Sequence, residues 1–225
     1  MQPQEGYRYS MDPFVLCNQI SLFSRRDRIL DVGCGCGIMS VILGYCFPQT
    51  CITGVEIQTN LAEIAQKNII NNKLEQTVSI INEDIKHIHL KSSNKPFDLI
   101  LSNPPYKKRN TGRLNPDLQK AIARHEITMD LKMLAEKAET LLRHKGRFMI
   151  IFPSERLPDI EQAVQATSIY PEWIRYIHTG QKKTPKRIIF SGRKDITTQR
   201  RILPPIYLSV DSIANMNMLP EHICP

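Results

Sequence analysis

Long apolar runs are missing from this 225-residue chain: no stretch approaches the roughly 18 residues that a membrane-spanning helix needs. The first residues, Met1-Gln2-Pro3-Gln4-Glu5, lack the basic and apolar regions of a secretion signal, so a cytoplasmic location is expected. A disulfide framework is missing too. The six cysteines, Cys17, Cys34, Cys36, Cys46, Cys51 and Cys224, form no Cys-x-x-Cys pair and are read as free thiols. Cys34 and Cys36, or His87 and His89, fall short of a four-ligand zinc pattern, and no metal is expected. Acidic residues are in deficit: 30 Lys and Arg against 22 Asp and Glu leave a net charge of +8, which suits a polyanionic partner. No repeats or low-complexity tracts occur, and the length suits one large domain.

A short apolar strand, Arg28-Ile29-Leu30-Asp31-Val32, runs directly into Gly33-Cys34-Gly35-Cys36-Gly37 and then a largely apolar helix from Ile38. Strand, tight glycine turn and helix make the first half of a nucleotide-binding β-α-β unit, because glycines let a ligand approach the backbone at the helix start. The third glycine of a dinucleotide fingerprint is absent: Ile38 or Ser40 stands where it would fall. Asp31 fits a cationic ligand better than a pyrophosphate. The next strand, Cys51 to Glu56, ends on a carboxylate able to accept both hydroxyls of a ribose. Leu61, Ile64, Ala65 and Asn68 then mark an amphipathic helix. A third strand, Val78 to Ile81, leads to Asp84, a candidate acceptor for an adenine amine.

Phe97 to Leu101 reads as a fourth, buried strand that stops at Ser102-Asn103-Pro104-Pro105-Tyr106. Two prolines fix φ and remove two donors, leaving a stiff corner that offers carbonyls. The amide oxygen of Asn103 and the carbonyl of Pro104 can both accept from one planar NH₂ group while Tyr106 stacks on its plane. Taken alone, these residues are equally a Pro-Pro turn with a surface tyrosine; Gly33, Glu56 and Asp84, all at strand ends, decide for a site. Strands at Arg147–Phe152, 173–178 and 187–191 complete the pattern, and His144-Lys145-Gly146 reads as the end of the preceding helix. Alternating strands and helices imply an α/β, doubly wound, mostly parallel sheet, with ligands at the carboxyl ends of its strands.

In this order, Asp31, Gly33, Gly35 and Gly37, then Glu56, Asp84 and Asn103-Pro104-Pro105-Tyr106, resemble the class I S-adenosylmethionine-dependent methyltransferases that act on amines. The resemblance implies a Rossmann-like, seven-stranded sheet with a C-terminal antiparallel strand pair. It implies that Asp31 and the glycines hold the methionine end of S-adenosylmethionine, Glu56 its ribose and Asp84 its adenine. Asn103, next to the cofactor, would act with Pro104, Pro105 and Tyr106 on the acceptor. Gly6 to Asp12, the basic run from Lys107 to Pro116 and Ala121 to Glu126 are similar to the bacterial tRNA adenine-N6 methyltransferases that modify the adenosine beside the anticodon of valine tRNA. A monomer acting on tRNA is expected. Arg8, Lys107, Lys108, Arg109, Arg113 and Arg124, with Lys182, Lys183 and Lys186 in a second basic loop, are the candidate RNA contacts. Protein glutamine methyltransferases and DNA or rRNA amino-methyltransferases share the corner and remain the alternatives. Residues 1–24 are expected to form a lead-in helix, 25–196 the methyltransferase domain and 197–225 an edge segment and tail.

Overall fold

The computed structural model describes residues 11–20, 28–90, 95–104, 131–180, 183–197 and 199–208. In chain order the strands are β1 (Arg28–Val32), β2 (Cys51–Glu56), β3 (Val78–Asn82), β4 (Phe97–Ser102), β5 (Leu142–Pro153), β6 (Ile169–His178), β7 (Arg187–Lys194) and β8 (Arg201–Tyr207). The helices are α1 (Asp12–Asn18), α2 (Ile38–Cys46), α3 (Thr59–Asn71), α4 (Leu131–Leu141) and α5 (Leu157–Gln165). All eight strands join one sheet in the order β3-β2-β1-β4-β5-β7-β6-β8. β7 runs antiparallel to both its neighbours, β5 and β6, and every other pair is parallel.

The central strands carry unbroken apolar runs because helices cover both of their faces. Phe148 to Phe152 of β5 are each 2% exposed or less. The pleat sends alternate residues to opposite faces. Ile29, Leu99, Leu101, Met149 and Ile151 pack with Leu16 of α1, Leu43 of α2 and Ile69 of α3. Leu30, Ile100, Phe148, Ile150 and Phe152 pack on the other face with Leu134 and Ala138 of α4 and Ile160 of α5. By that alternation Asp31 shares the α1-to-α3 face with Ile29, so the middle strand drives a carboxylate into an apolar layer.

The sheet departs from the sequence reading in two places. It has an eighth strand, β8, beyond the seven expected. Five of the seven β8 residues are exposed, Pro204 and Pro205 interrupt its backbone donors, and only Leu203 and Ile206 reach the core. β5 begins at Leu142, immediately after α4 ends at Leu141, so His144-Lys145-Gly146 belongs to a strand rather than to a helix end. Asp12 is the first residue of α1, ahead of Pro13, and its carboxylate is 3.1 Å from Arg187 Nε, which ties the lead-in helix to the start of β7. No helix among the described residues is long and apolar enough to cross a membrane.

Toward the amino-terminal edge, Arg147 donates from Nε and Nη2 to the two oxygens of Glu172, at 2.8 and 2.9 Å, with Ser191 Oγ donating to the same carboxylate. The Arg147 side chain is only 5% exposed. Removing one partner of a buried ion pair costs more than removing both, because a charge is left in a dry site. Glu172→Leu is therefore expected to destabilise the fold by about 3–5 kcal/mol in urea unfolding. Adding Arg147→Met to it should restore part of that loss, and a purely additive further loss would contradict the pairing.

Candidate active site

Sheet order reverses between β1 and β4, and ligands of open α/β sheets sit at the carboxyl ends of the strands flanking such a switch. At that point β1 delivers the glycine loop and β4 delivers Asn103 and Pro104. Ser102, fully buried, donates from Oγ to the Val32 carbonyl at 2.9 Å and ties the two strand ends together.

The glycine loop is built by backbone that other residues adopt only with strain. Gly33, Gly35 and Gly37 have φ of 71°, 59° and 83°. Gly37 caps α2 in the left-handed region, and a Cβ there would stand 3.0 Å from the Ala65 Cβ of α3. Two bonds anchor the loop to β2, from Gly33 and Cys34 N to the Val55 carbonyl at 2.8 and 3.1 Å. On the other side Asn68 Nδ2 donates to the Cys36 carbonyl at 2.8 Å.

Asp31 lies beneath this loop with no exposed surface. Ser40 Oγ in the first turn of α2 donates to its Oδ2 at 2.8 Å, while Oδ1, equally buried, has no hydrogen-bond partner among the described residues. Burial raises the pKa of this carboxyl to about 7; the Ser40 bond opposes the rise and the nearby Glu56 charge adds to it. Glu56, 5% exposed, accepts from Gly35 N on Oε2 and from Gln58 N on Oε1, both at 2.9 Å. Burial raises its pKa, and those backbone bonds pull it back. Both carboxylates fall where the sequence placed them, on neighbouring strands. Glu56 has a second task the sequence did not show, which is holding the glycine loop.

Asp84 caps a 3-10 turn over Ile85–His87, its Oδ1 accepting from Lys86 N at 2.9 Å. With Glu83 it lines a cleft whose other walls are Val32, Gly33, Val55, Ile57 and Ile85. This cleft is mostly apolar with two acidic residues in its lining, a composition suited to a flat, amine-bearing heterocycle. Asn82 Nδ2 donates to the Glu56 and Ile57 carbonyls at 2.8 and 3.3 Å, which fixes the corner between Glu56 and this cleft. Ser40, Asn68, Asn82 and Ile57 were missed by sequence reasoning. Ile57, 39% exposed just after β2, is an apolar residue left in the open beside the proposed ribose ligand, and its exposure is visible only in the structure.

A ligand with a positive amine fits this donor set. The unpartnered Asp31 Oδ1 needs a cation or donor, Glu56 has acceptor capacity beyond its two backbone bonds, and the open loop leaves backbone close by. S-adenosylmethionine, the cofactor implied by the sequence resemblance, presents an ammonium, a ribose and an adenine that match these groups in order. Asn103 is half-buried and Pro104 buried at the end of β4. Pro105, Tyr106, Arg8, Lys107, Lys108, Arg109, Arg113, Arg124 and Lys182 lie outside the described residues. Lys183 and Lys186 are exposed. Among the described residues no group of three or more His, Cys, Asp or Glu side chains is arranged to hold a metal ion.

The Asp31 environment sets a pH dependence. Its folded pKa of about 7 lies above the ordinary carboxylate value of about 3.9 in an unfolded chain, so the ligand-free fold holds the extra proton between these limits. Its contribution to stability is full below pH ~4 and is lost as pH rises through about 7. Asp31→Asn should accordingly raise the melting temperature of the ligand-free protein at pH 8 and do so much less at pH 5, while weakening cofactor binding at both. An Asn variant less stable than the parent at pH 8 would contradict the unpartnered carboxylate.

Residues 15–167 match the model of the methyltransferase small domain family. A tRNA1(Val) (adenine(37)-N6)-methyltransferase from Porphyromonas gingivalis ATCC 33277 is 35% identical over 166 residues, 73% of this chain and 64% of that protein. The protein of the same name from Phocaeicola vulgatus is 31% identical over 72% of this chain and 67% of its own length. The one from the Flavobacteriaceae strain 3519-10 is 29% identical over 89% and 84%. The chain thus spans about 64% of the length of the Porphyromonas relatives. Among solved structures, a predicted O-methyltransferase from Agrobacterium tumefaciens superposes with a TM-score of 0.68 at 17% identity, covering 92% of this chain and 95% of that one. TrmN from Thermus thermophilus superposes with a TM-score of 0.58 at 18% identity, over 80% and 48%. These likenesses show the Rossmann-like methyltransferase fold. The switch-point site and the match over residues 15–167 lead to one assignment: the chain belongs to the methyltransferase small domain family.

Proposed function

We propose that the protein is an S-adenosylmethionine-dependent tRNA methyltransferase that places a methyl group on N6 of adenosine 37, beside the anticodon of valine tRNA. The observation that carries this reading is the pairing, at the ends of adjacent strands, of a buried Asp31 with one oxygen unanswered and the Asn103-Pro104 corner. The curated relatives named for this tRNA activity supply the acceptor. When bound, S-adenosylmethionine supplies a methyl group on a cationic sulfonium.

The residues divide the work by chemistry. Asp31 and the glycine loop bind the amine end of the cofactor, Glu56 its ribose, and the cleft beside Asp84 its adenine. An exocyclic adenine amine is a poor nucleophile because its lone pair is delocalised into the ring. Two acceptors, the amide oxygen of Asn103 and the carbonyl of Pro104, draw on its hydrogens and favour a localised lone pair. Tyr106 stacks the base in that position, and Pro105 stiffens the corner. No strong general base is needed beforehand, since the proton leaves the acidic alkylated amine afterwards. An adenosine in a loop is reached by turning it out of its stack, which is cheapest where no duplex must be opened. Lys183, Lys186 and the basic residues Arg8, Lys107, Lys108, Arg109, Arg113, Arg124 and Lys182 are assigned to the RNA backbone. We also assign the protein to the cytoplasm, acting as a monomer.

Methyl transfer from labelled S-adenosylmethionine to unmodified bacterial tRNA, followed by digestion to nucleosides, tests the reading. N6-methyladenosine is the expected product. No labelled nucleoside despite measurable cofactor binding would replace the acceptor while leaving the cofactor site standing. Asn103→Ala should cut kcat by about 100-fold, the scale for removing one preorganised polar group from a reacting centre, with cofactor affinity kept. Glu56→Ala should do the reverse and weaken cofactor binding roughly 10- to 100-fold, as expected for loss of hydrogen bonds to a charged group.

A further inference from the structure

The carboxyl edge of the sheet continues past the proposed catalytic corner through the ends of β5, β6 and β8 and the start of β7. β6 and β8 are parallel and end in register, with His178 opposite Tyr207. Their rings meet in a tilted contact, centroids 5.0 Å apart and planes at 31°. Tyr207 is nevertheless 44% exposed. Its neighbour Ile206 packs into the core and anchors the strand, and Leu208 N donates to the His178 carbonyl at 2.8 Å. An aromatic side chain is thus held by backbone and by a second ring while much of its surface stays in water.

The turn before β7 is built onto the same strand end. His178 Nδ1 lies 2.7 Å from the Lys183 carbonyl; since a carbonyl only accepts, this nitrogen carries the hydrogen. Lys186 N donates to the Ile177 carbonyl at 3.0 Å, and Ser154 N donates to the Lys186 carbonyl at 3.3 Å. These bonds fix the backbone that carries Lys183 and Lys186, both exposed and neither paired with a carboxylate among the described residues. Glu155 is an exposed carboxylate on this edge. Two cations carried on a fixed backbone beside a tilted, half-open ring pair form the combination that binds single-stranded nucleic acid: phosphate contacts plus a platform for a base.

We propose that His178 and Tyr207, with Lys183 and Lys186, form a second RNA contact that stacks a nucleotide flanking the target adenosine. The inference rests on the tRNA reading above. Four strand intervals separate β4 from β8, or about 19 Å at the usual spacing of ~4.8 Å, so the platform is too far away to hold the reacting base. It would receive neighbouring nucleotides of the anticodon arm and position the target from outside.

The test uses the full chain and unmodified tRNA, with tRNA binding, cofactor binding and the KM and kcat of methyl transfer measured together. Tyr207→Ala is expected to weaken tRNA binding by about 5- to 100-fold, the range for losing one base-aromatic stack, with the loss falling on KM. Tyr207→Phe and Tyr207→Trp should retain affinity. Equal tRNA affinity in the Ala variant and the parent would overturn the platform, as would a Phe variant as weak as Ala. In case Tyr207→Ala loosens the edge strand, Lys183→Ala gives an independent readout. It should flatten the slope of log affinity against log salt by about 0.7, one phosphate contact to a single strand, and an unchanged slope would count against the site. If the parent methylates no tRNA yet these variants lose tRNA binding, the platform stands and the catalytic reading falls.

Discussion

A carboxylate at the centre of an apolar layer, with one oxygen answered by Ser40 and the other unanswered among the described residues, is the constraint around which the site is arranged. Asp31 is there because the pleat of β1 sends it to the same face as Ile29, and it is fully buried because α1 and α2 close over that face. An isolated buried charge is expensive, and the group answers by holding its proton until about pH 7. Stability is lost at a place where a cationic ligand can restore it. The same burial raises the Cys17 and Cys34 thiols, with the Asp31 charge as the next cause, so these cysteines are unreactive neighbours rather than nucleophiles.

Everything near Asp31 limits what can move. Glu56 spans from β2 to the glycine loop through Gly35 and to the start of α3 through Gln58, so the proposed ribose ligand also sets the loop's shape. Asn68 fastens the loop from α3, and Asn72 and Tyr45 extend that contact, Asn72 donating to the Asn68 carbonyl and Tyr45 to the Asn72 side chain. Asn82 holds the end of β2 from β3. Ser102 holds the end of β4 to β1, and so the Asn103-Pro104 corner keeps its distance from the glycine loop. A site assembled from four strand ends is rigid because each end is tied to its neighbour by a side chain as well as by the ladder.

Local signals were legible in the sequence. The glycines, Asp31, Glu56, Asp84 and Asn103 were found because strand-to-loop punctuation is written in adjacent residues, and the parallel class followed from the alternation of strands and helices. Partners distant in sequence were not legible. Ser40 meets Asp31 across 9 residues, Asn82 meets Glu56 across 26 and Asn68 meets Cys36 across 32. Nothing in the identity of a serine or an asparagine says which backbone it will reach. β8 was seen only as an edge segment because a mostly exposed strand with two prolines has neither the composition nor the alternation of a core strand. The α4-β5 boundary was misplaced because Arg143, His144 and Lys145 read equally as a basic helix end and as the solvated start of a strand. Pro105, Tyr106 and the basic run after them lie outside the described residues and keep their roles as proposals.

If the unanswered oxygen of Asp31 is the receptor for a cationic amine, ligand binding must expel its proton near neutral pH. Calorimetric titration of the ligand-free protein with S-adenosylmethionine at pH 6.5, in buffers of different ionisation enthalpy, counts those protons directly. Binding is expected with net release of a substantial fraction of one proton, diminishing as the pH is taken well above about 7. Binding with no buffer dependence at pH 6.5, or no binding at all, would contradict it.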